Sequence, residues 1–212
     1  MNELLEDSLQ HSPVIGILRG YSREVTDGIL GAYGAAGFSA IEITLNTPNA
    51  LHIIKEMVAQ YGATLNIGAG TVCSVSELEK ALDAGAAFIV TPILDIDVIH
   101  RCKEAGIPVF PGAYTPTEIY RAWDAGASMV KIFPAAQLGP AYIKQLKAPL
   151  DQIKVLPTGG ISLDNMQAYL KAGASGLGMG SALFEPKYID AKDWGGLQRH
   201  FEKVATLLKN SR

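Results

Sequence analysis

One pattern limits what this chain can fold into more than any other. A small-residue pair ending in glycine, followed by a burst of apolar residues, keeps returning. It reads AAGFSAIEIT at 35–44, DAGAAFIVTP at 83–92, EAGIPVFPGA at 104–113, DAGASMVKIFP at 124–134 and KAGASGLGMGS at 171–181. The glycines Gly37, Gly85, Gly106, Gly126 and Gly173 are separated by 48, 21, 20 and 47 residues. The long gaps are a little over twice the short ones, so each is expected to hold one more unit. YGATLNIGAGT (61–71) and LDQIKVLPTGG (150–160) fill those places.

The pattern has a physical meaning. A glycine just past a helix takes the left-handed cap position without a Cβ penalty. A short apolar run after it is the signature of a strand buried on both faces, as parallel sheets require. Between the bursts the period becomes helical, with Val25, Ile29, Tyr33 and Ala36 on one stripe and Leu51, Ile54, Met57, Val58 and Tyr61 on the next. Leu197, Phe201, Val204 and Leu208 form a similar stripe near the end. Strands are expected near 14–18, 40–44, 66–70, 88–91, 108–110, 129–132, 154–157 and 176–178. Strands alternating with helices make βαβ units. Eight of them predict an α/β fold of the (β/α)8 TIM barrel type, in one domain over residues 1–212, with the leader before Pro13 as an N-terminal helix across the barrel bottom. An open doubly wound sheet is the alternative, but its usual GxGxxG turn is replaced by ILRGYS after the first strand.

Burial makes each charged residue in these strands a question, because an ionised group in a low-dielectric core is costly unless paired or shifted in pKa. Two stand inside apolar runs: Glu42 in AIEIT and Lys131 in MVKIF. If Val130 and Ile132 face the helices, alternation points Lys131 into the barrel, and the same logic turns Glu42 inward. Arg19 shares parity with Ile15 and Ile17, and Thr71 shares parity with Ile67 and Ala69. Barrel enzymes build their sites at the C-terminal ends of the strands, where Arg19 and Thr71 fall. Lys154 precedes its strand, at the opposite end, and is expected to be structural. A buried salt bridge alone is a weak reason for the Lys131–Glu42 pair, since such pairs add little stability over packed apolar residues. A buried lysine with a lowered pKa can attack a carbonyl, and a neighbouring carboxylate can move protons. The glycine-rich PTGGIS (157–162) and GMGS (178–181) follow strands seven and eight, where barrels of this type cradle phosphate.

Composition excludes other classes. The net charge is −3 and only 18% of residues are charged, with no basic tract, so no nucleic-acid partner is expected. No apolar run approaches the ~20 residues that span a bilayer, and the acidic N-terminus lacks an apolar signal segment, so no membrane partner and a cytoplasmic location are expected. The two cysteines, Cys73 and Cys102, are expected to be reduced thiols, with Cys102 in the core and Cys73 bordering the site. His11, His52, His100 and His200 lack ligand spacing, so no metal is expected. Trp123 and Trp194 are explained by packing, and Pro92, Pro111, Pro134 and Pro157 by the need to close strands.

Taken together, ILRG (17–20), EITLNTP (42–48), GAGTV (68–72), VTP (90–92), FPGAYTPTE (110–118), VKIFPA (130–135), PTGGI (157–161) and GMGS (178–181) strongly resemble the 2-keto-3-deoxy-6-phosphogluconate (KDPG) aldolase family, which also covers phosphogalactonate and 4-hydroxy-2-oxoglutarate aldolases. The resemblance spans about residues 12–208. It implies a class I aldolase without cofactor or metal, typically a homotrimer, acting on a small 2-keto acid phosphate. Lys131 matches the Schiff-base lysine and Glu42 the general acid/base. Thr71 matches the threonine that helps hold the carboxylate, and Phe133 the aromatic of the pyruvate pocket. Pro92 of VTP is counted among the substrate-binding positions. Gly159, Gly160, Gly180 and Ser181 match the phosphate-binding positions. Where gluconate-type members often carry arginine, this chain has Asn46, and Arg19 is the candidate replacement, as in the galactonate branch. Thr158 is gluconate-like. On that balance the expected substrate is 2-keto-3-deoxy-6-phosphogluconate, with the galactonate epimer and 4-hydroxy-2-oxoglutarate as alternatives. The rivals are another phosphate-binding barrel enzyme, such as a metal-dependent epimerase or a thiamine-phosphate-synthase-like transferase, and a non-catalytic sugar-phosphate binder. The first needs acidic or histidine ligands at strand ends, which are scarce; the second would not need a reactive amine.

Overall fold

The computed structural model of the chain describes residue 5 and residues 9–209. The chain alternates strands and helices: β1 (Val14–Leu18), α1 (Arg23–Ala35), β2 (Ala40–Thr44), α2 (Ala50–Tyr61), β3 (Asn66–Gly70), α3 (Val75–Asp83), β4 (Ile89–Val90), α4 (Ile96–Glu104) and β5 (Val109–Phe110). There follow β6 (Gly112–Ala113), α5 (Pro116–Ala125), β7 (Val130–Ile132), α6 (Gly139–Lys147), β8 (Val155–Pro157), α7 (Met166–Lys171), β9 (Leu177–Met179), α8 (Pro186–Asp190) and α9 (Trp194–Lys209). The five repeat glycines all adopt positive φ, from 68° at Gly106 to 114° at Gly126, in the left-handed region that the repeat requires. Side-chain caps start five helices: Ser22 on α1, Ser74 on α3, Asp95 on α4, Asp193 on α9, whose Oδ1 accepts the Gly196 N–H at 2.8 Å, and Thr115 on α5, the last in a reciprocal capping box with Glu118.

All paired strands run parallel. One sheet has the order β5-β4-β3-β2-β1-β9 and the other β6-β7-β8. The architecture is an α/β fold with a curled parallel sheet. Pro111 does not close the fifth strand, as expected, but splits it. Proline offers no N–H to the ladder, so Val109–Phe110 pairs with β4 and Gly112–Ala113 with β7. The break is stitched by Thr91, whose buried hydroxyl accepts from the Gly112 N–H at 3.2 Å, and by the Lys131 N–H donating to the Pro111 carbonyl at 2.9 Å. At the other junction Thr158 bridges Gly178, and the Ser175 N–H donates to the Val155 carbonyl at 2.9 Å.

Apolar residues sort into two cores. Ile41, Ile43, Ile67, Ala69, Ile89, Val130, Ile132 and Val155 face the helices. Ile15, Ala40, Phe88, Val90, Phe110, Met129 and Leu156 pack together on the opposite face. Leu5 and residues 9–11 are helical, and Leu5 and Leu9 join this second core. That agrees with the expected N-terminal helix as far as it can be followed; residues 1–4 and 6–8 of that leader lie outside the described residues. On β3 the inward positions are Gly68 and Gly70, and a Cβ at residue 68 would stand 2.4 Å from the Phe88 ring. No helix among the described residues is long and apolar enough to cross a membrane.

Candidate active site

Strand alternation delivers both buried charges to the inner face. Ile41 and Ile43 flank Glu42 on the helix side, as Val130 and Ile132 flank Lys131. Glu42 is 1% and Lys131 6% exposed. Neither residue is in its ordinary protonation range. Burial raises the Glu42 carboxyl above the usual carboxylate range, although the positive charges of Lys131 and Arg19 pull it down. Burial lowers the Lys131 ammonium. The Glu42 carboxylate opposes that shift, and Arg19 reinforces it. Desolvation wins in both cases, so the pair leans toward its neutral forms: an amine that can act as a nucleophile and a carboxylic acid that can donate a proton. The Lys131 Nζ also sits 5.1 Å from the centre of the Phe133 ring.

A cleft of about 380 Å³ opens at the C-terminal ends of β1, β7, β8 and β9. Of the residues singled out in the sequence, Arg19, Lys131, Phe133, Thr158, Gly159, Gly160, Gly180 and Ser181 line it. Glu42 lies buried, within electrostatic reach of Lys131 and Arg19. Thr71 and Pro92 are not part of the lining. The parity drawn for Thr71 fails, because Ile67 and Ala69 face the helices. Thr71 leaves β3 with φ 60°, which breaks the strand alternation at that residue. Pro92 is half-buried and packs against β6, where a Cβ on Gly112 would stand 2.4 Å from the Pro92 carbonyl. Arg19 is held from behind: the next residue, Gly20, has φ 79° and donates its N–H to the Thr47 hydroxyl at 2.9 Å. Thr47 is itself 3.3 Å from the Thr44 hydroxyl.

The two glycine-rich loops present a row of donors. Among the described residues none accepts a backbone hydrogen bond from the N–H of Gly159, Gly160, Ser181 or Ala182. Most carbonyls of the two loops are directed elsewhere. Thr158 and Gly159 carbonyls accept from the Ala135 and Ala136 N–H groups at 2.8 and 3.0 Å, and the Gly160 carbonyl accepts from the Asn165 amide at 2.8 Å. The Gly180 carbonyl takes the Leu183 and Phe184 N–H groups at 2.9 and 3.1 Å. Unpaired N–H groups with their carbonyls tied back form an anion-binding concavity.

Sequence reasoning missed Ile17, Tyr21, Ile161, Gly178 and Phe184, which also line the cleft. Parity with Arg19 was a usable signal for Tyr21, and Ile161 and Gly178 lie within motifs already noted. Three further positions are found where the sequence placed them. Lys154 is exposed before β8, Cys102 is buried in α4, and Cys73 is exposed beside the site with its thiol raised mainly by burial. Among the described residues no group of three or more His, Cys, Asp or Glu side chains could hold a metal.

The comparisons with known proteins agree with this geometry. The family model described as KDPG and KHG aldolase matches residues 5–200. The chain is 41% identical to the 2-dehydro-3-deoxy-6-phosphogalactonate aldolase of Escherichia coli, over 81% of this chain and 84% of that one. It is 35% identical to the 2-dehydro-3-deoxy-phosphogluconate aldolase of Pseudomonas aeruginosa, over 79% and 76% of the two chains. Among solved structures, KDPG aldolase from Legionella pneumophila, with pyruvate captured at low pH as a covalent carbinolamine intermediate, superimposes with a TM-score of 0.86 at 27% identity, covering 93% of this chain and 96% of that one. The chain belongs to the KDPG and KHG aldolase family.

Proposed function

We propose that the protein is a class I aldolase that reversibly cleaves a 2-keto-3-deoxy-6-phosphoaldonate to pyruvate and glyceraldehyde 3-phosphate through a Schiff base on Lys131. The observation that carries this reading is the pairing of a desolvated lysine with a desolvated glutamate beside a cleft that ends in unpaired backbone N–H groups. The neutral amine of Lys131 attacks C2, and protonated Glu42 assists the loss of the C2 oxygen as water, leaving an iminium and a carboxylate. The carboxylate, directly or through a water, takes the proton of the C4 hydroxyl as the C3–C4 bond breaks. Its electrons pass into the iminium, which becomes an enamine, so the protein itself supplies the electron sink. Protonation at C3 and hydrolysis release pyruvate and restore Lys131. Arg19 and Thr71 are assigned to the carboxylate, Phe133 and Pro92 to the pyruvate pocket, and the loops of Gly159–Gly160 and Gly180–Ser181 to the phosphate. Holding both ends of the substrate supplies orientation.

For the epimer, one observation favours phosphogalactonate over the phosphogluconate expected from the sequence, and a second weakens the reason for that expectation. Identity to the galactonate relative is higher, 41% against 35%. The Thr158 hydroxyl, which motivated the gluconate expectation, donates to the Leu156 carbonyl at 3.1 Å, leaving it able to accept from a substrate hydroxyl but not to donate.

We also read the two sheets as one closed (β/α)8 barrel in a single domain. The Pro111 split and the Thr158–Gly178 bridge are its two seams. A cytoplasmic homotrimer is the proposed assembly. Ile93 and Tyr120, each 50% exposed, with Val75 and Tyr114, offer apolar surface for such contacts.

The deciding experiment is borohydride reduction in the presence of pyruvate, followed by mass spectrometry. A pyruvate adduct mapped to Lys131 and absent in Lys131→Met is expected. An unmodified protein, with Lys131→Met as active as the parent, overturns the proposal. Cleavage rates on the two C4 epimers decide the substrate, and faster turnover of the gluconate epimer reverses that choice.

A further inference from the structure

The carbonyls of the two glycine-rich loops share a feature that the proposed reaction does not use. Those of Thr158, Gly159 and Gly180 are tied by backbone N–H groups, but those of Gly160 and Ala182 are held by side chains. Asn165 donates its amide to Gly160 at 2.8 Å, and its side-chain oxygen accepts from the Ser162 N–H at 2.8 Å, clamping the loop after β8 from both sides. His200, from α9 and 18 residues further along the chain, places Nε2 at 3.2 Å from the Ala182 carbonyl. A carbonyl can only accept, so the Nε2 carries the proton of this hydrogen bond. His200 is only 9% exposed and is packed between the rings of Tyr188 and Phe201, at 6.1 and 6.2 Å.

The geometry points to Asn165 and His200 as positioning residues for the anionic end of the substrate. Each keeps the negative end of a peptide dipole turned away from the cleft, so that the bound anion meets N–H groups alone. The turn that follows β9 shows why a side chain is needed. Its far end is fixed by Leu183 and Phe184, which are fully buried and bonded back to Gly180. Its outer segment, Ser181–Ala182, has no such apolar anchor: Ser181 is exposed. Without a partner the Ala182 carbonyl would rotate toward water in the cleft and set its partial negative charge against the phosphate. His200 is thus given a task that neither metal binding nor catalysis would supply.

This inference rests on the reading that the two loops hold a phosphate, and the test separates the two. Steady-state cleavage is measured for the phosphorylated keto acid and for the same acid lacking phosphate, with the parent, His200→Phe, His200→Gln and Asn165→Ala. If the parent shows no preference for the phosphorylated acid, the phosphate reading fails and this inference falls with it. If the parent prefers it, His200→Phe and Asn165→Ala should each raise KM for the phosphorylated acid about tenfold, the effect of one lost hydrogen bond to a turn that binds charge. The unphosphorylated acid and the borohydride-trapped pyruvate adduct should be unchanged. His200→Gln, which keeps a donor, should recover most of the loss. Equal damage to both substrates, or His200→Phe and His200→Gln behaving alike, overturns the positioning role; trapping of the pyruvate adduct shows in each case that the variant is folded.

Discussion

The carboxylate of Glu42 lies directly over Gly70: a Cβ on residue 70 would stand 2.6 Å from Glu42 Oε1 and 2.7 Å from its Cδ. Real Cβ atoms do not approach that closely, and Glu42 has little room to retreat. Gly70→Ala is therefore expected to displace the carboxylate rather than unfold the strand. Misplacement of a reacting group by an ångström costs about 100-fold in rate. The expected outcome is a fall of that order in kcat with circular dichroism unchanged. A kcat within twofold of the parent would mean that the carboxylate does not act from this position.

The pH dependence follows from the directions of the two shifts. Attack needs neutral Lys131, whose pKa is lowered from 10.5, so the rate should rise with pH through a limb well below that of an ordinary lysine. Loss of water needs protonated Glu42, whose pKa is raised from 4.5, so the rate should fall where that proton is lost. Arg19 lowers both values. Arg19→Met should therefore move both limbs to higher pH, besides raising KM for the keto acid through loss of the carboxylate contact. A profile that shifts on one side only, or not at all, would separate Arg19 from the pair.

Much of this site was legible in the sequence, for reasons tied to particular residues. The spacing of Gly37, Gly85, Gly106, Gly126 and Gly173 announced the alternating fold because each needs positive φ after a helix. Lys131 and Glu42 were visible as charges inside apolar strands, where strict alternation gives a direction. The parity count used for Thr71 failed because Ile67 and Ala69 face the helices and its own φ of 60° ends the strand alternation, which no parity count can detect. Pro111 was misjudged because its strand continues past the gap, with the Thr91 hydroxyl standing in for the missing ladder partner. His200 was dismissed with the other histidines, since its contact with Ala182 joins α9 to a loop that only the fold brings near.

Stability and activity should part at the same pair. Burying two ionisable groups is expensive whether they sit as charges or as a neutral amine and acid, and even a charged buried pair can often be replaced by apolar residues of similar size at no cost or with a gain of about 1–4 kcal/mol. Here both groups are more than nine-tenths buried. The double variant Lys131→Met with Glu42→Met should be inactive and should melt several degrees higher, since roughly 1 kcal/mol moves Tm by 2–4 °C at this chain length. A lower Tm would instead make the pair a structural bridge. That outcome would take support from the catalytic reading.

The last prediction concerns Thr47, which lies within EITLNTP but was given no role there. It is 5% exposed and accepts the N–H of Gly20 at 2.9 Å, while Gly20 holds φ 79° immediately after Arg19. Thr47→Val keeps the shape but leaves that N–H without its acceptor, a cost of about 1–3 kcal/mol where water cannot reach. The turn can escape the cost only by moving, and Arg19 moves with it. KM for the keto acid should rise about tenfold, the equivalent of roughly 1.4 kcal/mol, with a smaller effect on kcat, because Glu42 lies within β2, ahead of the turn that carries Thr47, and Lys131 lies on β7. Thr47→Ser retains the hydroxyl and should bind as the parent does. If valine and serine give the same KM, the Gly20 bond does not position Arg19, and the guanidinium is held by its own strand alone.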